Sequence, residues 1–429
     1  MDLIVKQSNM ADVKYIPKLR FPEFENDGEW KVVKLGEIFK RITDKNKENN
    51  NNVLTISAQD GLVSQYDYFN KNVAANDVTG YYLIKTGDFA YNKSRSQGYP
   101  YGAIKPLKLY DKGVVSTLYI CFRTKEQNSC IDFYEHYFET DLIHNEIGKI
   151  AQEGARNHGL LNISTEDFFE KISLFIPSLP EQQKIASFLT LLDEQISAHT
   201  KKLEALKAHK KGLMQQLFPA NGEKTPKLRF PEFKNDGEWE EVRLGEIAER
   251  RKEKVGSKLL EPISVSAGIG IVSQKQKFGK DISGNQYKNY IHIQSGDYVY
   301  NKGYSKTFPQ GSIYELTDFA EAAAPNAFIC FRFKNNFCPQ FFNGYFEQNS
   351  HGKQLVKYIT SGARGDGLLN LNPDNFFKIK FLVPTLPEQQ KIASFLTSID
   401  EMIQTLDDKI RNLKIYKNGL MQQIFIKTQ

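Results

Sequence analysis

The chain has 429 residues, of which 40% are hydrophobic and 25% charged, and this composition excludes a disordered or low-complexity protein. Its formal net charge of +6, from 57 basic and 51 acidic side chains, permits a polyanionic partner but does not require one. The cysteines are far apart and form no C-x-x-C pair, which excludes a cysteine-rich zinc site and a dense disulfide framework. Since no apolar run is long enough for a signal peptide or a membrane span, we expect a cytoplasmic protein without a membrane partner.

The sequence contains two copies of one unit of about 208 residues. Both copies contain PKLRFPEF, then a GAR-x-x-GLLN motif, then LPEQQKIASFLT, in the same order and at nearly the same spacing. Such a repeat predicts that each half folds as one unit, with the small changes of offset in loops. The matched segments are Pro17–Phe24 and Pro226–Phe233, Gly154–Asn162 and Gly362–Asn370, and Leu179–Thr190 and Leu386–Thr397.

The first part of each unit has the pattern of a globular domain. Short runs rich in Val, Ile, Tyr and Phe, such as Val114–Phe122 and Phe376–Val383, predict β-strands between Gly, Asn and Asp residues. Helical patterns intervene at Phe133–Ala151 and Phe341–Ile359. We therefore predict an α+β domain with an irregular sheet.

Each unit then ends in a predicted long helix, which begins near Pro180 or Pro387, where a missing backbone N–H costs nothing. Apolar residues recur there at alternating spacings of three and four through about five heptads, as in a coiled coil. The expected seam comprises Ile185, Leu189, Leu192, Ile196, Leu203, Leu206, Leu213 and Leu217 in the first helix, and Ile392, Leu396, Ile399, Ile403, Leu406, Ile410, Leu413, Leu420 and Ile424 in the second.

Two such helices in one chain are expected to pair with each other, although each could instead pack on its own domain. Because the second helix must run back along the first, the pair is expected to be antiparallel, with one domain at each end and an approximate two-fold axis. A helix of about 38 residues would span roughly 57 Å. Lys210 and Lys417 occupy matching seam positions, where they either extend outward or restrict the partner choice of the helices. The predicted division is residues 1–176 and 219–383 for the globular parts, the latter with a linker, and 177–218 and 384–429 for the helices.

This layout, with its P-x-L-P-EQQKIA-x-FL helix starts and a late GLMQQ at Gly212–Gln216 and Gly419–Gln423, resembles the specificity subunit of Type I restriction-modification systems. The resemblance covers essentially the whole chain. It implies two target-recognition domains, each reading one half of a bipartite, asymmetric site in double-stranded DNA. It also implies that the helices set the spacer between half-sites and dock two methyltransferase subunits, which restriction or translocase subunits would join.

The sequence itself lacks the motifs of an enzyme. It has no G-x-x-x-x-G-K-[ST] phosphate loop, no N-P-P-Y or D-P-P-Y run, and no histidine spacing suited to a metal, so we expect no catalytic residue, cofactor or metal in this chain. If the resemblance holds, S-adenosylmethionine, ATP and Mg²⁺ are bound by the partner subunits. Two alternatives stay open: a self-contained DNA-modifying enzyme with diverged motifs, and a duplicated coiled-coil scaffold that does not bind DNA.

The loops at Tyr91–Gly102 and Tyr300–Gly311 are the first candidate DNA contacts, because basic, amide and aromatic residues alternate there with glycine. Lysine and arginine could neutralise phosphates or donate to guanine, and asparagine could read adenine; the alternative is a solvated hairpin. The shared YNK part is better suited to holding the loop or the DNA backbone, and the divergent remainder to specificity. The candidates are Asn92, Lys93, Arg95, Tyr99 and Tyr101, and Asn301, Lys302, Tyr304 and Lys306.

The GAR loops are the second candidate, since an arginine between glycines could approach a phosphate or could instead close a structural turn. Their candidate residues are Arg156, Asn157, His158, Arg364 and Asp366. Arg20 and Arg229 of PKLRFPEF could touch DNA, but we favour a strand that anchors the start of each unit together with Trp30 or Trp239. Candidates for subunit docking on the outward helix faces are Gln182, Lys184, Glu194, Lys202, Gln389, Lys391, Glu401 and Lys414.

Overall fold

The computed structural model describes residues 15–57, 61–70, 77–96, 98–151, 160–359 and 369–426. The chain divides into two compact units, the first formed by Met1–Thr200 with Asp408–Gln429 and the second by Lys201–Asp407. Each unit therefore combines one globular domain with the first half of one long helix and the second half of the other.

The first domain is built from short strands and helices that precede the long helix α6. The strands are β1 (Lys31–Lys34), β2 (Phe39–Ile42), β3 (Leu54–Ser57), β4 (Gly61–Ser64), β5 (Tyr82–Lys85), β6 (Phe89–Asn92), β7 (Ala103–Pro106), β8 (Lys112–Val115), β9 (Ile120–Thr124) and β10 (Ser173–Ile176). The helices are α1 (Leu35–Ile38), α2 (Gln65–Phe69), α3 (Ile131–Tyr137), α4 (Asp141–Ile150), α5 (Thr165–Glu170) and α6 (Leu179–Leu217).

The second domain repeats this order of elements before the long helix α12. Its strands are β11 (Glu240–Arg243), β12 (Ala248–Arg250), β13 (Ile263–Ser266), β14 (Gly270–Ser273), β15 (Ile291–Gln294), β16 (Tyr298–Asn301), β17 (Ser312–Glu315), β18 (Glu321–Ala324), β19 (Ile329–Phe333) and β20 (Lys380–Val383). Its helices are α7 (Leu244–Ile247), α8 (Gln274–Phe278), α9 (Pro339–Glu347), α10 (Ser350–Leu355), α11 (Pro373–Phe376) and α12 (Leu386–Ile424).

Each domain contains a four-stranded antiparallel sheet. The strand order is β2-β9-β6-β7 in the first domain and β12-β19-β16-β17 in the second. Its two faces separate two apolar cores, because side chains alternate along a strand. In β6, Phe89 and Tyr91 face a core shared with α3, α4 and α5 and with the long helices, whereas Ala90 faces a core under the β3–β4 hairpin. The second domain repeats this alternation with Tyr298 and Tyr300 on one face.

Several predicted elements are shorter than the sequence pattern suggested. The predicted strand at 114–122 is the end of β8 and the start of β9, separated by a turn in which Tyr119 N–H donates to Ser116 O (3.1 Å). The helical pattern at 133–151 is broken into α3 and α4, where the Thr140 hydroxyl donates to the Tyr137 carbonyl (2.6 Å). The pattern at 341–359 likewise breaks after α9, at Asn349, whose φ of 52° is left-handed. In 376–383 only Lys380–Val383 is a strand, since Phe376 ends α11.

The two long helices form the predicted antiparallel pair. Each has 39 residues, or about 58 Å at 1.5 Å per residue. In the first unit, the start of α6 (Ile185, Leu189) and the end of α12 (Ile424) lie in the same apolar core. In the second unit, the end of α6 (Leu217) lies in one core with the start of α12 (Ile392). Every residue of the predicted seam is buried or half-buried, and the predicted fold class is confirmed.

The seam lysines are paired inside the structure and do not extend into solvent. Lys417 Nζ lies 2.5 and 2.6 Å from the two carboxylate oxygens of Asp193, and Lys210 Nζ lies 2.6 Å from Asp400 Oδ1 and from Glu347 Oε2. The two Lys–Asp pairs stand at equivalent positions of the repeat. Because a slip of one turn would leave a partly buried charge unpaired, these pairs select one register of the helices.

The PKLRFPEF segment anchors the start of each unit, as predicted, although it contains a 3₁₀ turn at Pro22–Phe24 and Pro231–Phe233 where a strand was expected. Arg20 Nε and Nη2 donate to the two oxygens of Glu181, the glutamate of LPEQQ, at 2.8 and 2.7 Å. Arg229 and Glu388 make the same pair in the second unit, at 2.8 and 2.7 Å. Both arginines thus connect motifs about 160 residues apart.

The other half of each anchor is a tryptophan that contacts the end of a long helix. Trp30 packs edge-on against Phe425, with ring centroids 6.3 Å apart, and Trp239 does the same against Phe218 at 6.2 Å. These contacts confirm that the start of each unit lies where a helix ends. Among the described residues, no helix is long and apolar enough to cross a membrane.

Candidate nucleic-acid interface

The Gly-Asp turn before β6, like its equivalent before β16, contains a buried aspartate that pairs with an arginine of the neighbouring strand. The Asp88 carboxylate accepts from Lys85 N–H (2.8 Å) and from Arg123 Nη2 (2.7 Å), which ties the turn to the neighbouring strand β9. Asp297 is fully buried and accepts from Arg332 Nε at 2.6 Å in the same way. Burial raises the pKa of the Asp88 carboxyl, while the Lys85 N–H and the Arg123 guanidinium act in the opposite direction. Gly-Asp at residues 87–88 and Ile-Cys-Phe-Arg at 120–123 recur in the second unit at 296–297 and 329–332, and they form the scaffold below each loop.

The shared Tyr-Asn pair holds the root of each candidate loop. Asn92 Oδ1 accepts from Ser94 N–H (3.0 Å), and Asn301 Oδ1 accepts from Gly303 N–H (2.9 Å). The Tyr91 hydroxyl donates to the Tyr101 carbonyl across the loop at 2.7 Å, as the Tyr300 hydroxyl donates to the Gln310 carbonyl. Since each asparagine uses its acceptor within its own loop, these contacts favour the loop-holding role for the shared part over base reading.

A glycine closes each loop. Gly102 and Gly311 have φ of 78° and 86°, and a Cβ on either would collide with the backbone oxygen of Asn92 or Asn301. Only glycine meets both requirements without strain. The loop therefore leaves and returns to the sheet in the same way in both units, whatever its tip contains.

The side chains at the tips differ in their access to solvent. Arg95 and Lys306 are exposed, and Tyr304 is 64% exposed. Lys93 and Lys302 are less accessible, since both are half-buried, and burial lowers the pKa of the Lys93 ammonium. The exposed tips thus belong to the divergent part of the loops.

The two candidate tyrosines of the first loop are held by the protein. The Tyr99 hydroxyl donates to Glu139 Oε2 at 2.7 Å, and burial raises its pKa. Tyr101 is half-buried against Gly148 of α4. These two tyrosines therefore contact the protein itself and help to hold the loop.

The structure brings the described end of each GAR-x-x-GLLN motif to the root of the other candidate loop. Leu161 N–H, near the end of the first motif, donates to Lys93 O at 3.0 Å, and Leu369 N–H, near the end of the second, donates to Lys302 O at 2.9 Å. The candidates within the GAR loops, Arg156, Asn157, His158, Arg364 and Asp366, lie outside the described residues. This juxtaposition could not be predicted from the sequence, because about 60 residues separate the two motifs.

The expected outward placement of two docking candidates is wrong. Gln182 and Gln389 are buried, because their amides donate back to the carbonyls of Pro177 (3.0 Å) and Pro384 (2.8 Å). Gln389 Oε1 also accepts from Cys338 N–H at 3.0 Å. The two glutamines therefore fix the start of each long helix.

The other docking candidates lie on the surface of the helices. Lys184 and Lys391 pair with Glu23 (2.7 Å) and Glu232 (3.1 Å) of the PKLRFPEF segments. Glu194, Lys202, Glu401 and Lys414 are exposed. The seam pattern does not account for several exposed apolar side chains on these helices, among them Leu191, Met402, Ile415 and Tyr416.

These features define a duplicated α+β protein in which two similar domains each raise a variable loop on a constant scaffold, and in which two antiparallel helices complete both units. The sequence model of the Type I restriction modification DNA specificity domain matches the chain twice, at residues 27–208 and 236–414. The chain belongs to this family and is a specificity subunit of a Type I restriction-modification system.

Individual proteins are similar to this chain over almost its whole length. The Type I restriction enzyme MjaVIII specificity subunit of Methanocaldococcus jannaschii is 24% identical over 444 residues, which cover 98% of this chain and 96% of the relative. The crystal structure of the Type I restriction-modification S subunit from M. genitalium superposes with a TM-score of 0.56 at 14% identity, covering 96% and 100% of the two chains. A chain from the structure of a type I R-M system, solved to study complex assembly and conformational transition, gives a TM-score of 0.50 at 17% identity, with coverage of 92% and 96%. At these identities the two structures show a common fold.

Proposed function

We propose that each unit of this chain reads one half of a bipartite, asymmetric site in double-stranded DNA, and that the chain performs no catalysis itself. The observation that carries the proposal is the division of labour within each loop. Residues common to both units, such as Asn92 and Asn301, are used to hold the loop, while the exposed tips with Arg95 and Lys306 differ. Two readers with one scaffold and different tips would recognise different half-sites.

The proposed partners follow from the long helices. Two methyltransferase subunits would dock on their outward faces, and restriction or translocase subunits would join them. The exposed side chains of Met402 and Tyr416 support a protein interface there, because aromatic and Met side chains are enriched at interfaces. S-adenosylmethionine, ATP and Mg²⁺ would be bound by those subunits.

Exchange of residues 40–176 for the same segment of a relative tests the proposal. The exchange leaves the Arg20–Glu181 anchor and both long helices in place, so assembly should persist. Base-resolution mapping of DNA methylation in cells should then show one half-site changed and the other retained. The matched control exchanges the equivalent segment of the second unit and should change the other half-site. A change of both half-sites by either exchange would contradict independent reading.

A biochemical arm addresses catalysis. The purified chain alone should not methylate or cleave a duplex that carries the mapped site, even with S-adenosylmethionine, ATP and Mg²⁺ present. The same duplex should be methylated once the methyltransferase subunits are added. Methylation or cleavage by the chain alone would identify it as an enzyme.

A further inference from the structure

The short helix after the β3–β4 hairpin is a place where the two units differ in charge. Both hairpins have the same register, Leu54 opposite Ser64 and Ile263 opposite Ser273, so α2 and α8 occupy equivalent positions. Their sequences are QYDYF and QKQKF. Two tyrosines of the first unit thus stand where the second unit has two lysines.

In the second unit, α8 lies beside the root of the candidate DNA loop. Lys277 Nζ donates to the Val265 carbonyl at 2.6 Å, and Asn301 Nδ2 approaches the same oxygen at 3.5 Å. The turn of the β13–β14 hairpin contacts the strand after the loop, because Gly268 N–H donates to the Tyr314 hydroxyl at 2.7 Å. A duplex lying on the loop would therefore come close to α8.

In the part of the chain that the structure describes, no carboxylate neutralises the lysines of α8. Lys275 and Lys277 are exposed, and among the described residues neither is within 4.0 Å of an acidic oxygen. The Lys277 ammonium contacts uncharged groups, namely Val265 O (2.6 Å), Ser264 Oγ (3.3 Å) and the Phe278 ring, whose centroid is 5.3 Å away. Two other exposed lysines of this unit do have carboxylate partners, Lys258 with Glu253 and Lys380 with Glu241. An exposed, unneutralised pair of ammonium groups beside the loop suits a phosphate backbone.

We propose that α8 is a DNA-backbone contact of the second unit, in which Lys275 and Lys277 neutralise phosphates beside the half-site that this unit reads. Helix α2, with Tyr66 (65% exposed) and Tyr68 (52% exposed) at the same positions, does not reproduce this contact. The inference rests on the proposed DNA-reading function. Its consequence is that the two half-sites are held with unequal dependence on salt.

Reciprocal exchange of the native residues tests the inference. The full chain, co-purified with its methyltransferase subunits, would carry Lys275→Tyr/Lys277→Tyr or Tyr66→Lys/Tyr68→Lys, and binding to a labelled duplex of the mapped site would be measured by anisotropy from low to high salt. Each lost phosphate contact should reduce the slope of log K against log salt by about 0.9, so the first variant should lose about 1.8 and the second gain a similar amount. Lys227→Gln/Lys234→Gln removes two exposed charges elsewhere in the same unit and should leave the slope unchanged.

The outcomes separate this inference from the function on which it rests. If the unaltered complex shows no preference for its site, the proposed function fails. If it binds its site but Lys275→Tyr/Lys277→Tyr changes the slope no more than the control, the α8 contact is refuted. Loss of the methyltransferase subunits from Tyr66→Lys/Tyr68→Lys would place α2 in a protein interface and would also refute it. Lys275→Gln, which alters one exposed side chain, repeats the test if a double variant fails to fold, and its slope should fall by about 0.9.

Discussion

Replacement of Glu181 by alanine should destabilise the first unit severely. The Glu181 side chain is 1% exposed and that of Arg20 is 6% exposed, and the carboxylate also lies 3.3 Å from Trp30 Nε1 as a third donor. Without Glu181, the Arg20 guanidinium keeps its hydrogen bond to the Gly28 carbonyl (2.7 Å) but loses its counter-charge. Removal of one member of a buried ion pair costs about 3–5 kcal/mol. At a urea dependence of about 2–3 kcal/mol per M, the midpoint should fall by roughly 1–2 M.

The two tryptophans make this measurement selective for one unit. Trp30 belongs to the first unit and Trp239 to the second, so in a Trp239→Phe background the indole emission reports unfolding around Trp30. Glu181→Gln keeps one acceptor oxygen and should cost less than Glu181→Ala. Arg20→Leu/Glu181→Leu should recover part of the loss, because no charge is then left buried.

The control for the Glu181 variants is an exposed glutamate of the same helix. Glu194→Ala should change the free energy of unfolding by less than about 0.5 kcal/mol. If Glu181→Ala has an effect as small as that of Glu194→Ala, the two motifs are not held together by this ion pair. The structural interpretation of PKLRFPEF would then be wrong.

Three further predictions concern pH, the loop tips and the helices. Burial lowers the pKa of His351 to about 4. Between pH 6.5 and 4 the unfolded chain therefore binds a proton that the folded chain does not. The free energy of unfolding should fall on acidification, by on the order of 2 kcal/mol at pH 5. In a Trp30→Phe background, His351→Leu should flatten this pH dependence of unfolding, and an unchanged slope would refute the assignment. Arg95→Ala and Lys306→Ala should each weaken binding of the assembled complex and relax sequence preference at one half-site only; unchanged affinity and preference would remove the tips from the interface. Deletion of one heptad from both long helices shortens each by about 10.5 Å, equivalent to about three base pairs, and methylation mapping should show a gap that much shorter; an unchanged gap would refute the spacer role.

The long helices and their pairing could be predicted because the heptad period is a global signal that local context rarely overrides. The same period identified Lys210 and Lys417 as anomalies, but it could not show their carboxylate partners. Glu347 is on α9, far from the helix in sequence, and only the tertiary fold brings it to Lys210. Polarity alone also placed Gln182 outside, whereas its amide satisfies a carbonyl exposed by the preceding proline turn.

The candidate loops could be located from composition, but the hydrogen bonds within them could not be predicted. Nothing in the YNK motif distinguishes an asparagine that reads a base from one that accepts a hydrogen bond two residues later, as Asn92 does. The helix predicted at 133–151 was too long, because the Thr140 hydroxyl donates to the Tyr137 carbonyl where the chain turns between α3 and α4. Elements made of many similar residues were predictable, and those decided by one hydrogen bond were not.

The burial of Met421, Ile424 and Phe425 in the same apolar core as Trp30 has a consequence for biosynthesis. The ribosome must add residues 201–420 after the first domain before these side chains exist, which at 5–20 residues per second takes roughly 10–40 s. During that interval the apolar surface around Trp30 on the nascent first domain is not yet covered by the end of α12. The cell must therefore either shield the growing polypeptide with a chaperone or tolerate some loss to aggregation, and the second domain, whose helical partner α6 is already made, is spared this delay.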